Sequence, residues 1–382
     1  MKIAVLGVGC TKFGELWDKS LLDLLGQSQL LALNDSNILP SQIDAIFTGN
    51  MCADSLVGQQ NLGVAASNLL NLSVPSVRVE AACASGAAAL SAGINALMSG
   101  QAEVVLVNGV EKMTDASIAD ITKSLMTAAA GELEAFIGAT FPSLFALIAR
   151  AYMSEFGVER KHLAAISVKN HFNGSLNPIA HIQKKIDLKT VLNAPMVADP
   201  LSLLDCSPMS DGAASIVLAT ENFAKKHFGK KSKFHPVFIT ASASATDTLA
   251  LADRESLIEC KATRLAAQKA FKQANITHKN VDVLEVHDAF TVAEMIALED
   301  LGFCKKGQAK NLDGSLNVNP SGGLKSRGHP VGATGIAQVV EIVQQLQGRC
   351  GERQVKHAKI GLCHNMGGIG SNVFVHILRQ ID

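Results

Sequence analysis

Short runs of apolar, β-branched residues alternate along this chain with Ala- and Leu-rich stretches whose apolar positions recur at helical spacing. Residues 2–7, 45–48, 76–79 and 103–108 predict strands, and residues 20–32 and 85–98 predict helices. The order recurs further on: a helix over 263–274, a strand over 281–286, a helix over 335–347, then strands over 358–363 and 372–378. Such alternation is the pattern of layered α/β architecture. The two parts also align. Residues 43–47 match 281–285 at an offset of 238, each after a helix and a turn, and Cys83 at the start of one small-residue helix falls opposite His329 at the start of another. A duplicated fold follows, with halves at 1–235 and 236–382 and one reactive group from each at a shared interface. The plainer alternative is that helices often begin with small residues. Residues 115–198 break the strand rhythm and predict a mostly helical insertion, which covers a cofactor, serves as a dimer-contact arm or is simple padding.

Composition narrows the classes. At 382 residues and 48% hydrophobic, the chain is long enough for two packed domains. Lys plus Arg and Asp plus Glu stand at 34 each, so no global field favours nucleic acid or an acidic membrane, and an anionic ligand must be held locally. Apolar stretches such as 144–149 stop well short of the roughly 20 residues that span a bilayer. The first residues lack the basic flank and cleavage site of an export signal, so a soluble, cytoplasmic protein is expected. Eight cysteines are scattered without a CxxC pair, which argues for reduced thiols and against a metal site or a disulfide scaffold.

Four segments carry candidate chemistry. In Val79-Glu80-Ala81-Ala82-Cys83-Ala84-Ser85-Gly86, a cysteine sits between a strand and a small-residue helix. A helix N-terminus lowers a thiol's pKa, so Cys83 reads as a nucleophile, and its N–H as a donor to the oxygen of a bound acyl group. The second segment runs from Asn319-Pro320-Ser321-Gly322-Gly323 to Gly328-His329-Pro330-Val331-Gly332-Ala333-Thr334-Gly335. Its glycines shape a loop that displays one imidazole, His329, suited to moving protons or polarising a thioester carbonyl. Glu285-Val286-His287-Asp288-Ala289-Phe290 and Cys363-His364-Asn365-Met366-Gly367-Gly368 lie at predicted strand ends, where α/β proteins build sites. Together they point to acyl transfer through a cysteine with histidine assistance.

In this order and spacing the segments, with Gly109-Val110-Glu111-Lys112-Met113 and the run from Asp205 to Ala214, resemble the thiolase superfamily over essentially the whole chain. The resemblance implies two βαβαβαββ halves in a five-layered α-β-α-β-α body with an inserted loop domain. His-Asp-Ala-Phe at 287–290 is similar to sterol-carrier-protein-type thiolases and archaeal-like acetyl-CoA acetyltransferases, where other thiolases have Asn-Glu-Ala-Phe. By that similarity His287 holds a water that forms one oxyanion hole with His329, and the N–H groups of Cys83 and Gly367 form the other. Both usual positions of the second catalytic thiol are changed, to Asn365 and Ala289. Cys363 is the first candidate to replace it and His364 the second; otherwise Cys363 is only the buried end of a strand.

The implied reaction is coenzyme A-dependent C-acyl transfer, as Claisen condensation or thiolysis, through an acyl-Cys83 intermediate. Coenzyme A thioesters are then substrates, with no permanently bound cofactor and no metal. Arg150, Lys169 and Lys184, with Ser321 and Gly322, are the candidates to bind coenzyme A. The resemblance further implies a homodimer or tetramer, and in the archaeal-like branch a partner with a zinc-bearing oligonucleotide-fold domain. Two other classes stay open: a condensing enzyme of ketoacyl-synthase type, which would usually show a basic docking face, and a non-catalytic acyl-CoA-binding scaffold.

Overall fold

The computed structural model describes residues 2–228, 236–312, 314 and 316–381. Its first half opens with β1 (Ile3–Cys10) and α1 (Leu21–Ser36). α1 starts on a reciprocal cap: the Ser20 hydroxyl accepts the Asp23 N–H at 3.1 Å and the Asp23 carboxylate accepts the Ser20 N–H at 2.9 Å. It ends on Asn37 at φ 54, one turn later than the sequence pattern predicts. There follow β2 (Ala45–Gly49), α2 (Ala53–Leu56), α3 (Leu62–Asn68), β3 (Ser76–Val79), α4 (Ser85–Met98) and β4 (Val104–Glu111).

The segment expected as an insertion holds α5 (Ile118–Met126), α6 (Phe141–Phe156), α7 (Arg160–Ser175) and α8 (Leu188–Leu192), then the short pair β5 (Met196–Ala198) and β6 (Leu201–Ser202). β7 (Gly212–Thr220) and α9 (Glu221–Phe228) complete the first half. The second half contains β8 (Val237–Thr246), α10 (Lys261–Ala274), β9 (Val283–Glu285), α11 (Thr291–Asp300), α12 (Gly323–Ser326), α13 (Thr334–Leu346), β10 (Ile360–Gly367) and β11 (Asn372–Gln380). The expected boundary at residue 235 falls in 229–235, outside the described residues.

Duplication is visible in the strand order, β3-β2-β4-β7-β1-β8-β11-β10-β9. The run β2-β4-β7-β1 is mirrored by β9-β10-β11-β8, and β2 and β9 start 238 residues apart, at Ala45 and Val283. The halves join where Ile3, Ala4 and Val5 pair antiparallel with Ile239, Phe238 and Val237. β7 and β8, rich in Ala, Ser and Thr, are strands that the apolar pattern did not reveal.

Three apolar layers explain the stacking. Leu24, Leu25 and Leu33 of α1 pack with Leu62 of α3 on the outside of the first half. Leu90 and Ile94 of α4 meet Ile336 and Val340 of α13 between the two parts of the sheet. Ala266 and Ala270 of α10, Met295 of α11 and Phe145 and Tyr152 of α6 cover the second half. The result is an α-β-α-β-α body, in which each fully buried Leu or Ile of the middle layer contributes roughly 1.5–3 kcal/mol. Among the described residues no helix is long and apolar enough to cross a membrane.

Candidate active site

The Cys83 turn is built by local hydrogen bonds. The Ala82 N–H donates to the Glu80 carboxylate at 2.6 Å, the Ala81 N–H to the Ser85 hydroxyl at 3.0 Å, and that hydroxyl to the Ala82 carbonyl at 2.6 Å. They hold Ala82 at φ 52, a left-handed conformation that costs an alanine roughly 1–2 kcal/mol. Cys83 therefore precedes α4 instead of entering it. Its thiol is not lowered, as the sequence position suggested. Burial pushes it up to about 12, with Gly368 and Cys83 backbone N–H groups pulling it down and the Glu111 carboxylate adding to the rise. Desolvation outweighs the helix field here, and the thiol needs a base to become a nucleophile.

The second half brings a candidate base, His329, to the loop whose Val331 packs in the same cluster as Cys83. His329 follows Gly328 at φ 109, and its N–H donates to the Ser210 hydroxyl at 3.2 Å. Its Nδ1 lies 2.7 Å from Thr334 Oγ1, and the Thr334 hydroxyl donates to the Pro330 carbonyl at 2.9 Å. With that proton committed, Thr334 Oγ1 accepts, so Nδ1 carries the hydrogen and Nε2 keeps its lone pair. Burial, reinforced by Arg327, brings His329 down to about 3, and the ring is neutral at ordinary pH. His287 stands beside it, ring centroids 5.0 Å apart and planes at 85°. Burial and the neighbouring His329, His364 and Arg327 keep His287 well below its usual value.

Several backbones touch where these parts meet. A methyl group on Gly86 would stand 2.6 Å from the Gly332 carbonyl oxygen, one on Gly109 would stand 2.4 Å from the same atom, and one on Gly367 would stand 2.4 Å from the Ala81 carbonyl oxygen. The buried Glu111 carboxylate ties the same seam. It accepts from Asn50 Nδ2 at 2.7 Å, Met51 N–H at 2.9 Å, Cys52 N–H at 3.0 Å and, across the halves, Gly332 N–H at 3.0 Å. Burial raises it to about 7 despite these bonds. The Gly368 N–H, beside the expected Gly367, and the Cys83 N–H both act on the Cys83 thiol.

Cys363 does not join this group, and His364 meets it through the His287 backbone. β10 alternates faces, and Cys363 points into the middle core, where Glu285 and Arg327 are its charged neighbours and burial raises its thiol well above the usual value. His364 points to the opposite face. It accepts the His287 N–H on Nδ1 at 3.4 Å and faces Thr263 Oγ1 with Nε2 at 3.0 Å. Asn365, on the Cys363 face, donates from Nδ2 to His287 Nδ1 at 2.9 Å.

The expected coenzyme A residues divide. Ser321 is fully buried and gives its N–H and hydroxyl to Glu285 at 3.0 and 2.7 Å, and Gly322 packs against the Gly174 backbone. Neither offers a surface to a nucleotide. Lys169 pairs with Glu294 at 2.8 Å and donates to Asn170 and the Val318 carbonyl, a bracing role. Arg150, paired with Asp199, and Lys184 are exposed on the helical segment. Thr334, Glu111, Ser210 and Asn365 were not assigned roles from sequence, although each stands inside or beside a quoted motif.

Comparison with known proteins agrees with this geometry. Residues 3–222 match the thiolase N-terminal domain and residues 243–380 the thiolase C-terminal domain-like family. The acetyl-CoA acetyltransferase of Methanothermobacter thermautotrophicus is 47% identical, covering 99% of both chains, and that of Methanocaldococcus jannaschii is 44% identical with the same coverage. Human sterol carrier protein 2 is 34% identical over 99% of this chain and 72% of its own. Among solved structures, the Ltp2-ChsH2(DUF35) aldolase superposes with a TM-score of 0.85 at 22% identity, covering 99% of this chain and 98% of that one. The Acat5 thiolase of Ascaris suum in complex with coenzyme A gives 0.76 at 18% identity over the full length of both. With both thiolase domains matched in order and full-length relatives at this identity, the chain belongs to the thiolase family.

Proposed function

We propose that this protein is a coenzyme A-dependent C-acyltransferase that works through an acyl-Cys83 intermediate, by Claisen condensation of acyl-CoA with acetyl-CoA or by thiolysis of a 3-oxoacyl-CoA. The observation that carries the reading is that the Cys83 turn and the His329 loop meet, with Cys83 packed on the cluster that holds Val331 and Gly86 against the Gly332 carbonyl, while the His329 Nδ1–H is pinned on Thr334. His329 Nε2 takes the thiol proton as Sγ forms a bond to the thioester carbonyl carbon. The carbon–sulfur bond to coenzyme A then breaks, and the departing thiolate recovers the proton. The Cys83 N–H and a glycine N–H of the 367–368 turn face the acyl oxygen, and His287 holds the second carbonyl. The two archaeal relatives named acetyl-CoA acetyltransferase support a short acyl group.

Arg150 and Lys184 are the exposed cations suited to coenzyme A phosphates. The division into halves near residue 235, a homo-oligomer and a cytoplasmic setting belong to the same reading. So does a partner carrying an oligonucleotide-fold domain, which the neighbour solved as an Ltp2-ChsH2(DUF35) complex supports. Intact-protein mass after mixing with acetyl-CoA tests it. The expected result is one acetyl adduct, absent in Cys83→Ala and discharged by free coenzyme A. A Cys83→Ala protein that still transfers acetyl groups would overturn it.

A further inference from the structure

Two imidazoles at one site are useful only if they present different atoms, and the hydrogen bonds around this pair fix which. His329 is held with Nδ1–H on Thr334 and a bare Nε2. His287 receives the Asn365 amide on Nδ1 at 2.9 Å, and an amide NH₂ can only donate. Its hydrogen therefore sits on Nε2. One ring offers a lone pair and its perpendicular neighbour offers an N–H.

We infer that Asn365 is a positioning residue that locks His287 in the Nε2–H tautomer, making it a hydrogen-bond donor to the substrate oxygen and leaving His329 as the single base of the pair. The inference rests on the acyl-transfer reading. The second catalytic thiol of the family pattern is replaced here by a side chain that carries no labile proton but decides where a neighbour's proton resides. Asn365 is well placed to do so. It is buried on the same face of β10 as Cys363, and its Oδ1 faces Gly335 at the α13 start, where a methyl group would stand 2.6 Å from it, which leaves Nδ2 toward His287. The other groups facing His287, namely His329, His364 and Arg327, supply it with no acid.

Asn365→Asp gives the decisive readout. An ionised carboxylate would accept from Nδ1–H and raise the His287 pKa. The Nε2–H then survives only while the ring is protonated, so kcat/KM should fall roughly tenfold per pH unit above that pKa. Wild type and Asn365→Ala should lack this descending limb, with Asn365→Ala uniformly slower. An Asn365→Asp enzyme with the wild-type profile, or with a loss that does not change with pH, overturns the inference. Imidazole nitrogen shifts in ¹⁵N-histidine-labelled wild type, assigned with His287→Gln, test it without turnover: an unprotonated Nδ1 supports it and a protonated Nδ1 refutes it. If wild type formed no acyl-Cys83, the reading would fail while the tautomer measurement still decided the inference.

Discussion

The two halves place corresponding helix starts against each other, and they treat the residue displayed there in opposite ways. At the α4 start, Cys83 is held by its backbone: a left-handed Ala82, small neighbours, and N–H groups facing the sulfur. At the α13 start nearly every polar atom around His329 has a partner, from Ser210 on its N–H to Thr334 on its ring. The difference follows from what the proposed reaction asks of each. A nucleophile changes its bonding during the reaction and is best positioned without commitments on its side chain. A base must present one lone pair in one direction, so its other nitrogen is tied down.

The comparison can be broken at its strongest point by His329→Ala, which should reduce the rate of Cys83 acylation by about 10²–10⁴-fold, measured by rapid quench and intact mass. A loss below tenfold would mean that the thiol finds another base. Gly86→Ala attacks the contact between the two starts. Because the new methyl would meet the Gly332 carbonyl oxygen at 2.6 Å, it should cost about 1–3 kcal/mol of stability, seen as a lower melting temperature together with slower acylation. Thr334→Val keeps the shape but removes the acceptor for Nδ1–H. The loss of ~1.4 kcal/mol predicts a roughly tenfold fall in kcat with KM nearly unchanged.

Acid should act most gradually, its effect spread over several pH units. His329, His364 and His376 are held by burial at about 3, 3 and 4, against 6.5 for a free imidazole. Each takes up its proton first in the unfolded chain, so its contribution to stability is present above pH 6.5 and is lost toward the folded pKa at ~1.4 kcal/mol per pH unit. Glu111, Glu285 and Asp288 are shifted upward by burial and act in the opposite sense, but only above their unfolded values. Unfolding midpoints should therefore drop most steeply below about pH 4.5, and a His376→Gln variant should show a shallower slope.

Much of this arrangement was legible in the residues. The offset of 238 places β2 on β9, and the small-residue stretches after Cys83 and His329 become the facing helices α4 and α13. What escaped depended on quantities that spacing does not carry. The helix-field argument for a low Cys83 pKa lost to desolvation, which only packing reveals. Ser321 and Gly322, expected to bind coenzyme A, lie in a loop that folds inward onto Glu285 and Gly174, which residue spacing does not report. His364 could have been separated from Asn365 by strand alternation alone, had β10 been expected to continue to Gly367 instead of stopping at residue 363.

The glycine contacts bear on how such a protein can change over generations. At 86, 109 and 367 main chain lies against main chain, so almost any substitution there is removed before chemistry is even sampled. The exposed helical segment that carries Arg150 and Lys184 is under no such restriction. Variation is thus channelled away from the seam between the halves and toward the outer face of that segment, so the seam is inherited while the surface is free to drift.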